Sequence, residues 1–302
     1  MKRTAKNNIY HIPVLSNETL TYLKVEPQAW YVDATAGGGG HTQAILKNRG
    51  RVLAIDKDRG AIDFLKHRFA GEINRQQVKL IKGDFINLDR YINQYLKSEV
   101  NGILFDLGMS TYQIRQSSRG FSFQTAGRLD MRFNQETEIS AYIVVNNYSQ
   151  DKLYEIFRKF GEEHLARAIA VAIGRARTLR TIESTKELAD IITIVYKKAG
   201  IKTHIHPATK VFQALRIFVN DELTQLKMVL PKALKVLTAG GRLVIISYHS
   251  LEDRLVKLAF KQALESYNFQ ILTRKPVTAG TIEVERNPAA RSAKLRALVK
   301  IS

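Results

Sequence analysis

The chain has 302 residues, 45% hydrophobic and 25% charged, a globular balance that excludes a disordered, collagen-like or coiled-coil protein as a whole. Lysine and arginine number 47 against 28 aspartates and glutamates, and the net charge of +19 predicts an anionic partner, with nucleic acid favoured over a membrane surface. The absence of cysteine excludes disulfides, thiolate zinc sites and a cysteine nucleophile, and therefore methylation of cytosine C5 through a cysteine adduct.

The sequence carries no signal for a membrane. Its apolar runs fall short of the ~18 consecutive residues of a spanning helix. The N-terminus is basic but lacks the apolar segment of a secretory signal. We therefore expect a cytoplasmic protein.

The first predicted unit is a strand, a glycine turn and a helix. Residues 30–36 are typical of a buried strand, residues 37–40 are four glycines, and residues 41–47 are typical of a helix. Glycines at such a turn let backbone N–H groups and a helix N-terminus approach a ligand. A plain tight turn has the same pattern, so the turn alone does not decide between the two interpretations.

Further predicted strands place acids at their ends. The strand at 51–55 ends in Asp56, 19 residues after Gly37, which is close to the ~20-residue spacing of a nucleoside-binding unit. There an acid accepts hydrogen bonds from ribose hydroxyls, although Asp56 is also placed to cap the next helix. The strand at 78–81 is followed by Asp84 and Phe85, suited to an adenine. A fourth strand, 102–106, ends in Asp106.

Comparing the glycine turn with known nucleotide-binding motifs reduces the number of candidate ligands. The turn lacks the lysine of a P-loop, since Gly40 is followed by His41 and Thr42, and Thr42 stands where the dinucleotide fingerprint has its third glycine. S-adenosylmethionine needs no pyrophosphate grip. Its amino acid end, ribose and adenine suit acids at the strand ends, namely Asp33, Asp56 and Asp106.

The middle of the chain changes to helical periodicity. From about residue 139 to 201, apolar side chains recur at helical intervals and predict a core, with arginines and lysines on the opposite face. We interpret this as a helical insert that faces RNA, although such charge runs are often plain solvated surface. Strand character resumes at 241–246, and the stretches 269–272 and 295–301 predict a closing antiparallel pair.

Long strings in the sequence resemble the RsmH (MraW) family of ribosomal RNA methyltransferases. The match extends over nearly the whole chain, with departures at 110–113, 126–132 and 247–250, where the family strings SSPQ, DGPLDMR and SFHS appear as STYQ, AGRLDMR and SYHS. The matching strings are HIPVL at 11–15, GGH at 39–41, FDLG at 105–108, RGFSF at 119–123, LDMR at 129–132, ALRI at 214–217, VNDEL at 219–223, HSLEDR at 249–254 and RSAKLR at 291–296.

The resemblance implies the fold and the reaction. The fold is an α/β, Rossmann-like S-adenosylmethionine-dependent methyltransferase core, residues 1–134 and 206–302, with an inserted helical domain for substrate recognition at 135–205. The reaction is methylation of the exocyclic N4 of a cytidine in the decoding region of small-subunit (16S) ribosomal RNA, within an assembled or assembling subunit. Neither a metal, DNA nor a membrane is expected as a partner.

The resemblance implies the cofactor contacts, and the chemistry of the reaction suggests the other site residues. By motif position the cofactor contacts are Gly39, Gly40, His41, Asp56, Phe85, Asp106 and Gln113. Asp106 is the first candidate for the catalytic acceptor that bonds the amino hydrogens, and His249 is a second candidate, or else a histidine that only ends a strand. The substrate-binding candidates are Arg119, Phe121, Phe123, Tyr248, Arg291, Lys294 and Arg296.

Other interpretations stay open. One alternative is a methyltransferase of the same fold that acts on another nucleic acid or on protein. The amino-acid composition does not distinguish these substrates. A ribosome-assembly factor whose methylation is dispensable is a further alternative. Asp130 and Arg132 are expected to pair or to brace a loop, and residues 220–222 to cap or brace a helix.

Overall fold

The computed structural model describes residues 13–109, 119–124, 126–265 and 268–302. The chain divides into two compact units, one of residues 1–112 with 223–302 and one of residues 113–222. The predicted insert, 135–205, lies inside the second unit, whose bounds are wider at both ends. The reason is that residues 126–134 bond within this unit, where the Phe133 and Thr185 N–H groups donate to Asn220 Oδ1 and the Gly127 carbonyl at 2.7 and 2.9 Å.

The first unit is built on one seven-stranded sheet with the order β3-β2-β1-β4-β5-β7-β6. Strands β1 to β5 run parallel, and β7 pairs antiparallel with both β5 and β6. The predicted Rossmann-like α/β fold is confirmed. The strands are β1 (Trp30–Asp33), β2 (Arg51–Asp56), β3 (Val78–Lys82), β4 (Val100–Asp106), β5 (Leu237–Ser247), β6 (Phe269–Ile271) and β7 (Lys294–Lys300).

Helices follow the strands in the first unit and make up most of the second. In chain order they are α1 (Ser16–Leu23), α2 (Gly40–Lys47), α3 (Arg59–Arg68), α4 (Ala70–Asn74), α5 (Leu88–Tyr95), α6 (Ala141–Asn147), α7 (Gln150–Gly161), α8 (Ala166–Leu179), α9 (Thr185–Lys198), α10 (Thr209–Asn220), α11 (Glu222–Lys235), α12 (Ser250–Leu264) and α13 (Thr281–Arg286). In the described part of the chain, no helix is both long and apolar enough to cross a membrane.

The apolar runs of the sequence become the two faces of the sheet. Leu53, Ile103 and Phe105 belong to a cluster on one face, and Val52 and Leu104 to a cluster on the other. Both faces of the central strands are covered, which explains why these strands read as continuous rather than alternating apolar stretches. The strand order reverses between β1 and β4, and ligands bind at the carboxyl ends of strands beside such a reversal.

The second unit confirms the helical periodicity of the sequence. Phe157, Ile169, Ile173 and Ile192 are fully buried, as a core position at helical spacing requires. Side chains of Ser140, Ser149 and Ser184 cap the starts of α6, α7 and α9. Ser184 and Glu187 form a reciprocal capping box, which fixes the start of α9.

Candidate functional site

Asp106, the last residue of β4, is held from three sides. Its backbone N–H donates to Thr35 Oγ1 at 2.7 Å, and its Oδ1 accepts a hydrogen bond from the Tyr248 hydroxyl at 2.7 Å. Its Oδ2 lies 3.5 Å from His41 Nε2. The carboxylate therefore sits at the carboxyl end of the sheet in a fixed orientation, beside the point where the strand order reverses.

Asp33, the last residue of β1, is buried next to the start of α2. Its Oδ2 accepts a hydrogen bond from Thr42 Oγ1 at 2.7 Å, and its Oδ1 faces the Thr35 N–H at 3.4 Å. Burial raises the pKa of Asp33 above its ordinary value, against the lowering effect of His41 and of the Thr42 hydrogen bond. Asp33 thus holds the glycine turn and α2 to the end of β1.

Asp56, the last residue of β2, bonds the glycine turn directly. Its Oδ2 accepts the Gly37 N–H and its Oδ1 the Asp58 N–H, both at 2.8 Å. Burial raises the pKa of Asp56 to about 6, and the two backbone hydrogen bonds oppose this shift. The alternative role as a helix cap belongs to Asp58, whose Oδ1 accepts the Gly60 N–H at 2.9 Å at the start of α3.

The glycine turn needs its glycines. Gly37 and Gly39 have φ of 48° and 76°, and a Cβ on Gly39 would come within 2.6 Å of Leu65 and Phe69. On Gly40, a Cβ would lie 3.1 Å from the Pro13 ring. A side chain at Gly39 would push the turn away from α3, so the turn keeps its backbone close to the ends of β1 and β2.

His41 follows the turn and brings two ring nitrogens into the site. The side chain is only 6% exposed, and no described residue gives either nitrogen a hydrogen bond. Buried polar atoms in native proteins normally have partners. The orphaned imidazole beside Asp33 and Asp106 therefore fits a polar ligand at this edge of the sheet.

Phe85 lies at the end of β3 among groups suited to a flat base. Its ring meets Phe105 edge to face, with centroids 5.6 Å apart, and Lys57 Nζ lies 5.3 Å from its centroid. The Lys57 ammonium also donates to Asp84 Oδ2 at 3.3 Å and Gln225 Oε1 at 2.9 Å. Acids at three strand ends, an orphaned imidazole and an aromatic ring match the parts of S-adenosylmethionine.

Gln113, the last of the predicted cofactor contacts, lies outside the described residues. The other six predicted contacts belong to the first unit. Five of them, at the turn and at the ends of β2 and β4, come together at one edge of the sheet: Gly39, Gly40, His41, Asp56 and Asp106. Phe85 follows β3 at the same edge.

Tyr248 and His249 follow β5 at this edge, and both have structural partners. A Cβ on Gly108 would lie 2.6 Å from the Tyr248 ring, so the ring packs on that backbone, while its hydroxyl bonds Asp106. His249 caps α12: its Nδ1 accepts the Glu252 N–H at 3.3 Å, and Glu252 Oε2 accepts the N–H groups of both Tyr248 and His249. The cap accounts for His249 without a substrate contact.

Two of the three predicted substrate residues near 120 are internal to the second unit. Arg119 is 6% exposed and donates to the Arg132 and Phe133 carbonyls at 3.1 and 3.0 Å, so it braces a loop and has little surface for RNA. Phe121 is buried and stacks on Phe133 at 5.3 Å. Phe123 is half-buried and stacks on His206 at 4.5 Å.

The three basic candidates near the C-terminus have different environments. Arg291 is exposed. Arg296 is 8% exposed and forks onto Asp253, with Nε and Nη2 at 2.6 and 3.2 Å from the two carboxylate oxygens, which disagrees with a phosphate contact. Lys294 lies 3.8 Å from the same carboxylate. Only Arg291 of the three combines a basic group with an exposed position in the described structure.

The acids of the second unit confirm the expected bracing. Arg132 forks onto Asp130 at 2.9 and 2.7 Å. Burial would raise the pKa of Asp130, but the hydrogen bonds from Arg132 outweigh it and lower that pKa. Asn220 donates to the Met131 carbonyl at 2.8 Å, and Arg216 forks onto Glu222 at 2.9 and 3.0 Å.

Some site residues were missed by sequence reasoning. Thr35 and Thr42 hold Asp106 and Asp33 through their hydroxyls. Arg68, from the end of α3, donates to the Gly38 carbonyl and to Gln43 Oε1, and so fastens the glycine turn. Thr35 and Thr42 flank the glycines in sequence, which is a usable signal, whereas Arg68 is 30 residues away from Gly38 and has none.

Comparison with known proteins gives one consistent result. The sequence model of the MraW methylase family matches residues 8–301. A protein of Persephonella marina named "Ribosomal RNA small subunit methyltransferase H" is 43% identical over 97% of this chain and 100% of its own length. Proteins of the same name from Coprothermobacter proteolyticus and Sulfurihydrogenibium azorense are each 42% identical, over 97% and 95% of this chain and 97% and 98% of their own lengths.

Proposed function

The chain belongs to the MraW methylase family, and from this premise we propose that it transfers a methyl group from S-adenosylmethionine to small-subunit ribosomal RNA. The observation that carries the proposal is the 43% identity over 97% of this chain to a ribosomal RNA small subunit methyltransferase H. The acids at the ends of β1, β2 and β4 support it, because they lie where this cofactor's polar groups would need partners. We place the activity in the cytoplasm, with the ribosomal subunit as substrate.

Within that activity we assign the acceptor atom as the exocyclic N4 of a cytidine. The cofactor, when bound, supplies a methyl group carried on a sulfonium. The amino lone pair of cytosine is delocalised into its ring, so an acceptor that bonds the amino hydrogens makes the nitrogen a better nucleophile. Asp106 is that acceptor in our proposal, and it takes up the proton that the nitrogen releases after it has formed its new bond to carbon.

The chain's other contribution is alignment. Methyl transfer is an in-line displacement, so most of the acceleration comes from holding the nitrogen and the methyl group in line and from excluding water. Gly39, Gly40, His41, Asp56 and Phe85 would hold the cofactor. The target base has to leave its stack to reach Asp106.

Labelled methyl transfer tests the proposal. Small subunits from a strain without the modification are incubated with labelled S-adenosylmethionine and the protein, beside naked RNA and DNA, and then digested to nucleosides. We expect label in N4-methylcytidine from subunits. Label in another nucleoside would overturn the N4 assignment, and label in DNA the substrate class. No label despite tight cofactor binding would favour a role in assembly alone.

A further inference from the structure

Tyr248 makes a hydrogen bond to the proposed acceptor that the sequence analysis did not assign. The sequence predicted Tyr248 as a substrate-binding residue, and the structure places its hydroxyl 2.7 Å from Asp106 Oδ1. The two residues are 142 positions apart in the chain. They meet because β5 pairs with β4 in parallel, with Ile246 opposite Asp106, so that residue 248 extends beyond the same end of the sheet.

Contacts other than the hydrogen bond to Asp106 also fix the position of the Tyr248 ring. One part of the ring lies against Gly108, where a Cβ would come within 2.6 Å of it, so only glycine fits opposite the ring. The Tyr248 N–H donates to Glu252 Oε2 at 2.8 Å, which ties its backbone to the first turn of α12. A ring held at its backbone and along its side delivers the hydroxyl to one place.

The Tyr248 hydroxyl is a dependable donor. Burial raises the pKa of Tyr248 well above its ordinary value, and the negative charge of Asp106 raises it further. The phenol therefore keeps its proton at neutral pH. A hydrogen bond to a carboxylate is short and stronger than one between neutral groups, and it favours the ionised form of the acid.

We propose that Tyr248 is a positioning residue for methyl transfer: its hydroxyl binds Asp106 Oδ1, keeps the carboxylate ionised and turns Oδ2 toward the His41 side, where the amino group is received. The inference rests on the proposed function, because it assigns a partner to the proposed acceptor. Tyr248 itself acts only through Asp106. In this geometry the hydroxyl selects which carboxylate oxygen meets the substrate.

Several carboxylates surround the pair formed by Tyr248 and Asp106. Asp33 from β1 interacts electrostatically with Asp106, and Glu252 from α12 and Glu283 from α13 with Tyr248. Three more carboxylates in this region disfavour a further negative charge. His41 from α2 faces Oδ2 at 3.5 Å, and the Tyr248 hydroxyl bonds Oδ1. Removing the hydroxyl takes away the hydrogen bond to Oδ1.

The test removes only the hydroxyl. Tyr248→Phe in the full chain is compared with the wild type and with Tyr95→Phe, a matched control on an exposed ring of α5. The carboxyl titration of Asp106 is followed by carbon NMR in the cofactor-free protein, with Asp106→Asn to assign the signal. We expect the titration midpoint to rise by about one pH unit in Tyr248→Phe, equivalent to a tenfold change in equilibrium, and to stay unchanged in the control.

Kinetics gives the second readout. In Tyr248→Phe we expect the acid limb of the kcat profile to move to higher pH by about one unit, so that kcat falls about tenfold at pH values below the wild-type midpoint. KM for S-adenosylmethionine should stay within about twofold. A midpoint and a pH profile equal to those of the wild type would overturn the inference. A wild-type chain that transfers no methyl would refute the proposed function, while the NMR midpoints would still decide whether Tyr248 acts on Asp106.

A second variant covers the case in which Tyr248→Phe fails to fold. Asp106→Asn keeps the shape of the side chain and removes its charge, so the Tyr248 phenol should ionise at lower pH, followed by carbon NMR of the ring. If the phenol of Tyr248 titrates in Asp106→Asn as it does in the wild type, the proposed hydrogen bond to Asp106 is contradicted.

Discussion

Asp33 and Asp56 of the first unit and Asp130 of the second are held by different kinds of donor. In the first unit Asp33 and Asp56 accept hydrogen bonds from a hydroxyl and from backbone N–H groups, and burial raises the pKa of both. In the second unit Asp130 is gripped by the fork of Arg132, and its pKa is lowered. A carboxylate that is paired with a guanidinium has its charge and hydrogen bonds satisfied within the protein. The charge of a buried carboxylate with only neutral donors is less well compensated, so a ligand can supply further hydrogen bonds.

The largest effect is expected from neutralising the acid at the end of β4. In Asp106→Asn the amide cannot take up a proton, so kcat should fall by a factor of about 100 or more. Cofactor affinity should fall far less, by about tenfold at most, the value of one hydrogen bond. Initial rates on small subunits and calorimetric titration of the cofactor measure the two quantities. A variant with a rate within threefold of the wild type would remove Asp106 from the reaction.

The pKa of Asp56 predicts a pH-dependent cofactor affinity. A carboxylate accepts ribose hydroxyls better than the neutral acid, and the pKa of Asp56 is about 6. Affinity should therefore rise as pH increases through this value, by about tenfold between pH 5 and 7.5. Asp56→Asn should bind more weakly and with little pH dependence. Calorimetric titration of the cofactor at four pH values measures the affinity of both proteins. If affinity changes equally with pH in the two, the Asp56 carboxylate does not contribute to binding.

The same group affects stability with the opposite sign. The pKa of Asp56 is raised in the folded state, so the unfolded chain loses its proton first as pH rises. The wild type should lose up to about 2 kcal/mol relative to Asp56→Asn between pH 4 and 7, an effect that is fully developed above pH 6. Denaturant unfolding of both proteins across this range measures it. A gain of stability with pH, relative to the variant, would contradict the raised pKa.

Breaking the Arg132–Asp130 pair should lower the stability of the protein and leave its cofactor affinity unchanged. Asp130→Asn should lose about 1–3 kcal/mol at pH 7, since the pair is partly buried. The lowered pKa of Asp130 means that this contribution is present above the ordinary carboxyl pKa, near 4, and is lost as pH falls through the lower folded-state value. Denaturant unfolding at pH 7 and pH 3 measures it. Asp190→Asn, an exposed acid near Lys186, is the matched control, with a change below about 0.5 kcal/mol.

The smallest effect concerns two arginines that are five residues apart. Arg291→Ala should weaken RNA binding a few-fold, reduce the slope against salt concentration by about one unit and leave stability unchanged. Arg296→Ala should lower stability instead, because it leaves Asp253 without its fork. Filter binding across salt concentrations and thermal unfolding separate the two. Identical behaviour of both variants would break the distinction between a surface arginine and a buried one.

Local patterns in the sequence placed acids near the ends of the strands, although the strand predicted at 30–36 ends already at Asp33. Asp33, Asp56 and Asp106 each follow an apolar run that forms a parallel strand, and the order of such strands brings their carboxyl ends to one edge. The helical period of the second unit was equally informative, since a buried face repeats every three to four residues.

Long-range partners were beyond the sequence pattern. Arg296 looked like part of a basic surface because its partner, Asp253, is 43 residues earlier in the chain. The Tyr248 hydroxyl was unassigned because a strand pairing, and not a motif, brings it to Asp106. The cap formed by His249 did have a signal, the glutamate three residues later, which is the spacing of a capping box.

Nucleoside analysis of small-subunit RNA in cells tests the central claim most directly. RNA is compared by mass spectrometry from cells that lack the protein and from cells that express either the wild type or Asp106→Asn at equal levels. We predict N4-methylcytidine at one position with the wild type, and its loss both without the protein and with the variant. Persistence of the modified nucleoside without the protein, or its full restoration by Asp106→Asn, would contradict the proposed reaction and its acceptor.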